Sequence, residues 1–139
     1  MYNKINNTNE VTLIVPTKNR NTYLSRLIKY YKYKSFDGNI IILDASNGSH
    51  LRKNKDLLSK KFSFNIKHVI EDKRPMQSVY KNLHLIKSKF VTVCNDDDII
   101  VYEGLHKSSE ILKLDNNYSS CWGYGIKVET KLDDPFEMI

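Results

Sequence analysis

Residues 90–98 read F-V-T-V-C-N-D-D-D, and the fold turns on this stretch. Phe90 to Cys94 is a short apolar, β-rich run, long enough for one buried strand. It stops at three adjacent carboxylates, Asp96, Asp97 and Asp98. Like charges this close repel one another, and burying them is costly. A divalent cation would offset the repulsion. Mg2+ or Mn2+ takes one or two carboxylates and completes its shell from water and substrate phosphates. The plain alternative is a solvated acidic turn. Position favours a ligand, because open α/β sheets bind ligands beyond the C-terminal ends of their strands.

Working outward, the same strand-then-loop pattern recurs upstream. Val11 to Val15 is a strand run ended by Pro16, with Thr17 to Arg20 as its loop. Asn21 is placed to cap a helix whose Leu24, Leu27, Ile28 and Tyr31 share one face. Ile40 to Leu43 is a second buried strand ending at Asp44, followed by a loop to Gly48. A weaker helix follows, with Leu51, Leu58 and Phe62 on its inner side, and Phe64 to Ile70 alternates as a third strand. Pro75 suits a first helical turn, and Met76, Val79, Tyr80, Leu83 and Ile86 form a helical stripe running to Lys87. Beyond the carboxylates, Leu105, Ser108, Ser109 and Leu112 mark another helix. Tyr118 to Val128 is aromatic and β-branched, and predicts a fifth strand.

Strands alternating with helices imply an α/β fold, a mostly parallel sheet covered by helices on both faces. The loops after the first, second and fourth strands then share one edge. If the chain reverses direction across the sheet after the third strand, the first and fourth strands become neighbours. The crevice between them is the expected ligand site.

The 139 residues allow one domain with a real core, read as a polar lead-in at 1–10, a domain over 11–130 and a tail at 131–139. The net charge of +6 suits an anionic partner such as a nucleotide, a phosphate, an acidic lipid at a membrane periphery or a nucleic acid. Scattered lysines on a solvated surface are the plain alternative. No recognisable nucleic-acid motif appears, which argues against that partner. Cys94 and Cys121 lack metal or disulfide spacing and read as buried thiols. The lead-in has no apolar core of a signal peptide and no stretch is apolar enough to span a bilayer, so a cytoplasmic setting is expected.

Four pieces in order resemble the nucleotide-binding half of a GT-A glycosyltransferase of the family 2 type. They are V-T-L-I-V-P-T-K-N-R at 11–20, I-I-I-L-D-A-S-N-G-S at 40–49, Asn82, and N-D-D-D-I-I at 95–100. The second is similar to a strand ending in Asp-Asp-Gly-Ser, with Ala45 replacing the second Asp. The last is similar to the Asp-x-Asp motif. C-W-G-Y-G at 121–125 is similar to a later strand of related sequences. The resemblance spans roughly residues 11–125, and the ordered set is its strength.

This resemblance implies a Rossmann-like GT-A sheet, truncated here, and a nucleotide-sugar donor, UDP-linked in the typical case. It implies a nucleotide site at Pro16, Thr17, Asn19, Arg20, Asp44, Arg74, Asp96 and Asp97, with Asp44 accepting from the base. It implies Mn2+ or Mg2+ at Asp96 and Asp98, stabilising the leaving diphosphate. Arg20, Lys73 and Arg74 are candidates to touch phosphate; surface charge is the alternative for each. His68 reads as structural. The acceptor, whether glycan, lipid or protein, is not specified, nor is the oligomeric state. No residue is assigned as catalytic base. A complete enzyme of this type needs roughly 100 further residues, and its base is expected beyond Ile139. The competing expectation is a nucleotide-sugar-binding module without turnover, or an inactive fragment.

Overall fold

Val11, Leu13, Ile14 and Val15 all fall below 4% exposure, which is the signature of a strand covered on both faces. They lie in β1 (Val11–Thr17), the inner strand of a computed structural model that describes residues 10–127. The lead-in up to residue 9 and the tail at 131–139 lie outside the described residues. The chain continues through α1 (Asn21–Tyr33), β2 (Asn39–Asp44), α2 (Gly48–Leu58), β3 (Asn65–Ile70) and α3 (Pro75–Asn82). A 3-10 turn (Leu83–Leu85), β4 (Phe90–Val93) and α4 (Tyr102–Leu114) complete it.

The sheet is four-stranded and parallel throughout, in the order β3-β2-β1-β4. The chain therefore moves outward from β1 to β3, then returns to place β4 on the other side of β1. Thr17 is paired with Asp44, so the loops after β1 and β2 leave the same edge together.

The larger core lies on one face. Leu13, Val15, Ile40 and Ile42 meet Leu24, Leu27, Ile28 and Tyr31 of α1, with Tyr102 and Leu105 of α4. The opposite face is thinner: Ile14, Ile41 and Leu43 are covered by Val79 of α3. Helices lie on both faces, as the alternating pattern predicts.

Pro16 sits inside β1 rather than ending it. Ile14 O accepts from Cys94 N, so alternate residues of β1 bond toward β4, and Pro16 is the next of these. Having no N–H, Pro16 cannot extend that ladder, and β1 and β4 part beyond this point.

Three further sequence expectations fail. Asn21 does not cap α1: it is the first helical residue, Arg20 holds the cap position, and the Asn21 side chain meets His50 instead. The fifth strand is absent among the described residues: 118–127 form no strand, and Trp122, Tyr124 and Ile126 are exposed. A strand exists only when another edge takes its hydrogen bonds, and composition alone does not supply that edge. Cys121 is accordingly half-buried rather than a core thiol. The stripe from Met76 to Ile86 also fails. The helix stops at Asn82, and Met76, Tyr80 and Leu83 are exposed. α3 instead buries Ser78, Val79 and Asn82. Glu71 decides this rotation, because its carboxylate accepts from Ser78, Lys81 and Asn82.

Candidate functional site

The divergence of β1 and β4 opens a cavity of about 360 Å3 at the C-terminal edge of the sheet. Pro16, Thr17, Lys18 and Arg20 line it from one side, and Asn95, Asp96 and Asp97 from another. Pro75 and Ser78 contribute from α3 with Lys73 from the loop before it, and Leu43 from β2 with Ala45 just after it. This is the switch point of the sheet, where strand order reverses.

The acidic turn is held by α1 and the loop before it. Asp98 N donates to Asn95 O at 3.1 Å, closing the turn, and Asn95 Nδ2 donates to Asp98 Oδ2 at 3.1 Å. Asp96 is buried: Thr17 Oγ1 donates to its Oδ2 at 2.7 Å, and Arg20 lies 3.3 Å from its Oδ1. Arg20 also donates to Asp97 Oδ2 at 2.7 Å, while Arg26 donates to the Asp97 carbonyl at 2.6 Å. Both guanidinium groups lie over the Tyr23 ring, at 4.5 and 5.1 Å from its centroid. Tyr31 Oη donates to Ile100 O, and Tyr30 Oη accepts from Tyr102 N, fixing the chain that leaves the turn.

The repulsion expected among the three carboxylates is therefore largely met from within the chain, by arginine. The three differ in consequence. Burial pushes the Asp96 carboxyl up, against the pull of Thr17 and Arg20. The hydrogen bond from Arg20 holds Asp97 below the usual carboxylate range. Asp98 faces solvent.

Asp44 has a different setting. It is wholly buried and does not line the cavity. Its Oδ1 accepts from Ser46 N at 2.8 Å, and its Oδ2 accepts from Asn54 Nδ2 at 3.0 Å and His68 Nε2 at 2.9 Å. Burial alone would raise its pKa, but the hydrogen bonds from His68, Ser46 and Asn54 outweigh it and hold the group at about 2. His68 is structural, as its place on a strand suggests.

Of the expected nucleotide residues, the fold brings Pro16, Thr17, Arg20, Asp96 and Asp97 to the cavity wall. Asn19, Asp44 and Arg74 are not on that wall. Of the expected metal pair, Asp96 is on the cavity wall but engaged by Thr17 and Arg20, and Asp98 faces solvent off that wall. Among the described residues, no three Asp, Glu, His or Cys side chains converge as a cage. The donor set suits only an ion that takes one or two carboxylates and draws its remaining ligands from phosphate.

The architecture matches known structures. The fold is a Rossmann-like α/β fold shared with S. aureus TarS. S. aureus TarS 1-349 superposes with a TM-score of 0.58 at 18% identity, over 76% of this chain and 32% of that one. The same protein in complex with UDP-GlcNAc gives 0.59 at 18% identity, over 76% of this chain and 31% of that one. Longer TarS gives 0.59 at 19% identity, over 76% of this chain and 20% of that one. This chain thus spans about a third or less of the length of these neighbours. No family model and no curated protein sequence matches it.

Sequence reasoning missed Lys18, Tyr23, Arg26, Ser46 and Asn54. Asn54 left a trace. It stands three residues after Leu51 and four before Leu58, a polar residue on the inner stripe of α2, and it is the one buried residue of that helix. Arg26 left none, because its partner Asp97 lies about seventy residues away in the chain, whereas Tyr23 stands three residues from both Arg20 and Arg26, a helical spacing that sequence reasoning passed over.

Proposed function

We propose that this chain forms the donor-binding half of a glycosyltransferase, GT-A in type and family 2-like. It takes a nucleotide sugar, UDP-linked, and serves transfer of the sugar to a glycan, lipid or protein acceptor. The observation that carries this reading is the cavity at the switch point, where Lys18, Arg20 and Lys73 surround a tight acidic turn. Three cations around one cavity suit a diphosphate, and the turn beside them suits a cation shared with it. The likeness to a protein solved in complex with UDP-GlcNAc supports the choice of donor.

Thr17 and Ala45 border the nucleoside, and Lys18, Arg20 and Lys73 engage the phosphates. Phosphate competes for Arg20 and so frees Asp97. Asp97 and Asp98 then hold Mn2+ or Mg2+ together with the diphosphate. The ion supplies neutralisation of the charge that develops on the leaving group. Among the described residues no helix is long and apolar enough to cross a membrane.

A second reading, a nucleotide-sugar-binding module without turnover, is favoured by one observation. Both carboxylates on the cavity wall, Asp96 and Asp97, are ion-paired to Arg20, which leaves neither as a general base.

Calorimetric titration with UDP, with and without Mn2+, tests the proposal on the parent chain and on Asp98→Asn. The expected result is Mn2+-dependent binding that the substitution removes. Equal binding without the metal, unchanged in Asp98→Asn, overturns the metal assignment. No binding of any nucleoside diphosphate overturns the reading as a whole. Release of free sugar from the donor, or its transfer, separates the enzyme from the module.

A further inference from the structure

The end of β2 carries an enclosed polar cluster, Asp44, Ser46 and Asn54, and its construction points away from ligand contact. Asp44 meets three donors from three different elements: the loop after β2, α2 and β3. Asn54 Nδ2 bonds Asp44 and also reaches Ser46 Oγ at 3.3 Å. Ser46 Oγ accepts from Asn19 N at 2.8 Å, and Asn19 Oδ1 accepts from Asn47 N at 3.0 Å. The two loops that flank Ala45 and Arg20 are therefore laced together.

Asn19 explains why lacing is needed. Its φ is 56°, in the left-handed region that a non-glycine residue occupies only when held there. The residue after it is Arg20, whose guanidinium pairs with Asp96 and Asp97. The conformation of Asn19 thus sets the path by which Arg20 leaves the backbone. Asn54 carries a further sign of a specific role. Its Oδ1 is buried without a hydrogen-bond partner, a cost that an apolar residue of the same shape would avoid.

The geometry points to Asp44, Asn54 and Ser46 as positioning residues that hold the Asn19 turn, and through it Arg20, rather than as groups that read the nucleoside base. Asp44 has no exposed surface to offer a base. Its three donors take three of the carboxylate's roughly four acceptor sites, and the remaining one has no exposed surface. Selectivity among bases then falls to the backbone and to Ala45, and is weak. The binding consequence rests on the donor-site reading above; the lacing of the loops does not.

Amide nitrogen–proton correlation spectra of the ligand-free chain, followed by UDP and GDP titrations, test this on the parent, Asn54→Ala, Ser46→Ala and Ser46→Thr. Asn54→Ala and Ser46→Ala are expected to move the Asn19 and Arg20 resonances. Both should weaken UDP and GDP by the same factor, tenfold or more. Ser46→Thr keeps the hydroxyl and should restore both readouts. Should Asn54→Ala fail to fold, the two Ser46 variants decide alone. Unmoved Asn19 and Arg20 resonances in Ser46→Ala overturn the inference. So does a loss confined to UDP in Asp44→Asn, which would reveal a direct base contact. If the parent binds neither nucleotide, the donor-site reading falls, and the ligand-free spectra still decide whether the lacing exists.

Discussion

Asp44 and Asp96 flank Thr17 on the same edge of the same sheet, yet their carboxylates are shifted in opposite directions. Asp44 is paired in register with Thr17, and Asp96 accepts from its hydroxyl. Both are buried. Asp44 meets three hydrogen-bond donors and is held at about 2, whereas Asp96 meets one hydroxyl and a longer ion pair, and burial wins. Burial alone thus says little about a carboxylate's state. The number and aim of its donors decide it. The Asp44 end of the rim is a sealed structural joint, and the Asp96–Asp98 end is an acidic turn, part buried and part exposed, held in place by arginine.

The sharpest way to break this contrast is to remove the joint. Asp44→Ala leaves the donors of Ser46, Asn54 and His68 buried without an acceptor. A loss of about 3 kcal/mol in urea unfolding is expected. A loss near zero would mean that those donors find water, and that the joint is not sealed.

Acid titration sharpens the same point. The Asp44 pKa is lowered on folding from 3.8 to about 2. Its stabilisation is complete above the unfolded value and is lost as pH falls from about 4 through about 2. The amount is about 2 kcal/mol. Unfolding free energy measured across that range should fall more steeply in the parent than in Asp44→Asn, which has no proton to take up there.

At the other end of the rim, Arg20→Met removes the cation from Asp96 and Asp97. Arg20 is 42% exposed, so water screens the pair and the expected destabilisation is about 1 kcal/mol. The discriminating readout is carboxyl carbon NMR. The Asp96 pKa should rise further, because burial then acts without its opposing charge. A fall would show that Arg20 is not its partner in solution. Asp98→Asn should change unfolding free energy least, by less than about 0.5 kcal/mol, since this side chain faces solvent. A large change there would make the acidic turn a structural joint like the first.

Much of this molecule was legible in the order of its residues. Apolar runs stopping at Pro16, Asp44 and the carboxylates after Cys94, with helical stripes between them, predict a parallel sheet and a shared rim. That inference needs only side-chain periodicity and the handedness of the connections. It fails at Tyr118–Ile126, where strand-forming residues meet no pairing edge among the described residues. It fails again at α3, where Glu71 turns Ser78 and Asn82 inward and leaves Met76 and Tyr80 outside. At α3 a local preference of fractions of a kcal/mol loses to the hydrogen bonds of Glu71, and at 118–127 it has no sheet edge to act on.

The amino-acid order by itself determined the α/β architecture, the first four strands to within a residue or two at each end, and the three carboxylates that follow β4. Periodicity and charge are properties of neighbours along the chain. Only the tertiary structure decided which carboxylates are free. Arg20 and Arg26 approach Asp97, and Asn54 and His68 approach Asp44, across separations along the chain that no local pattern records. An ionisable group's state depends on what surrounds it in space, and that is known only once the chain has closed around it.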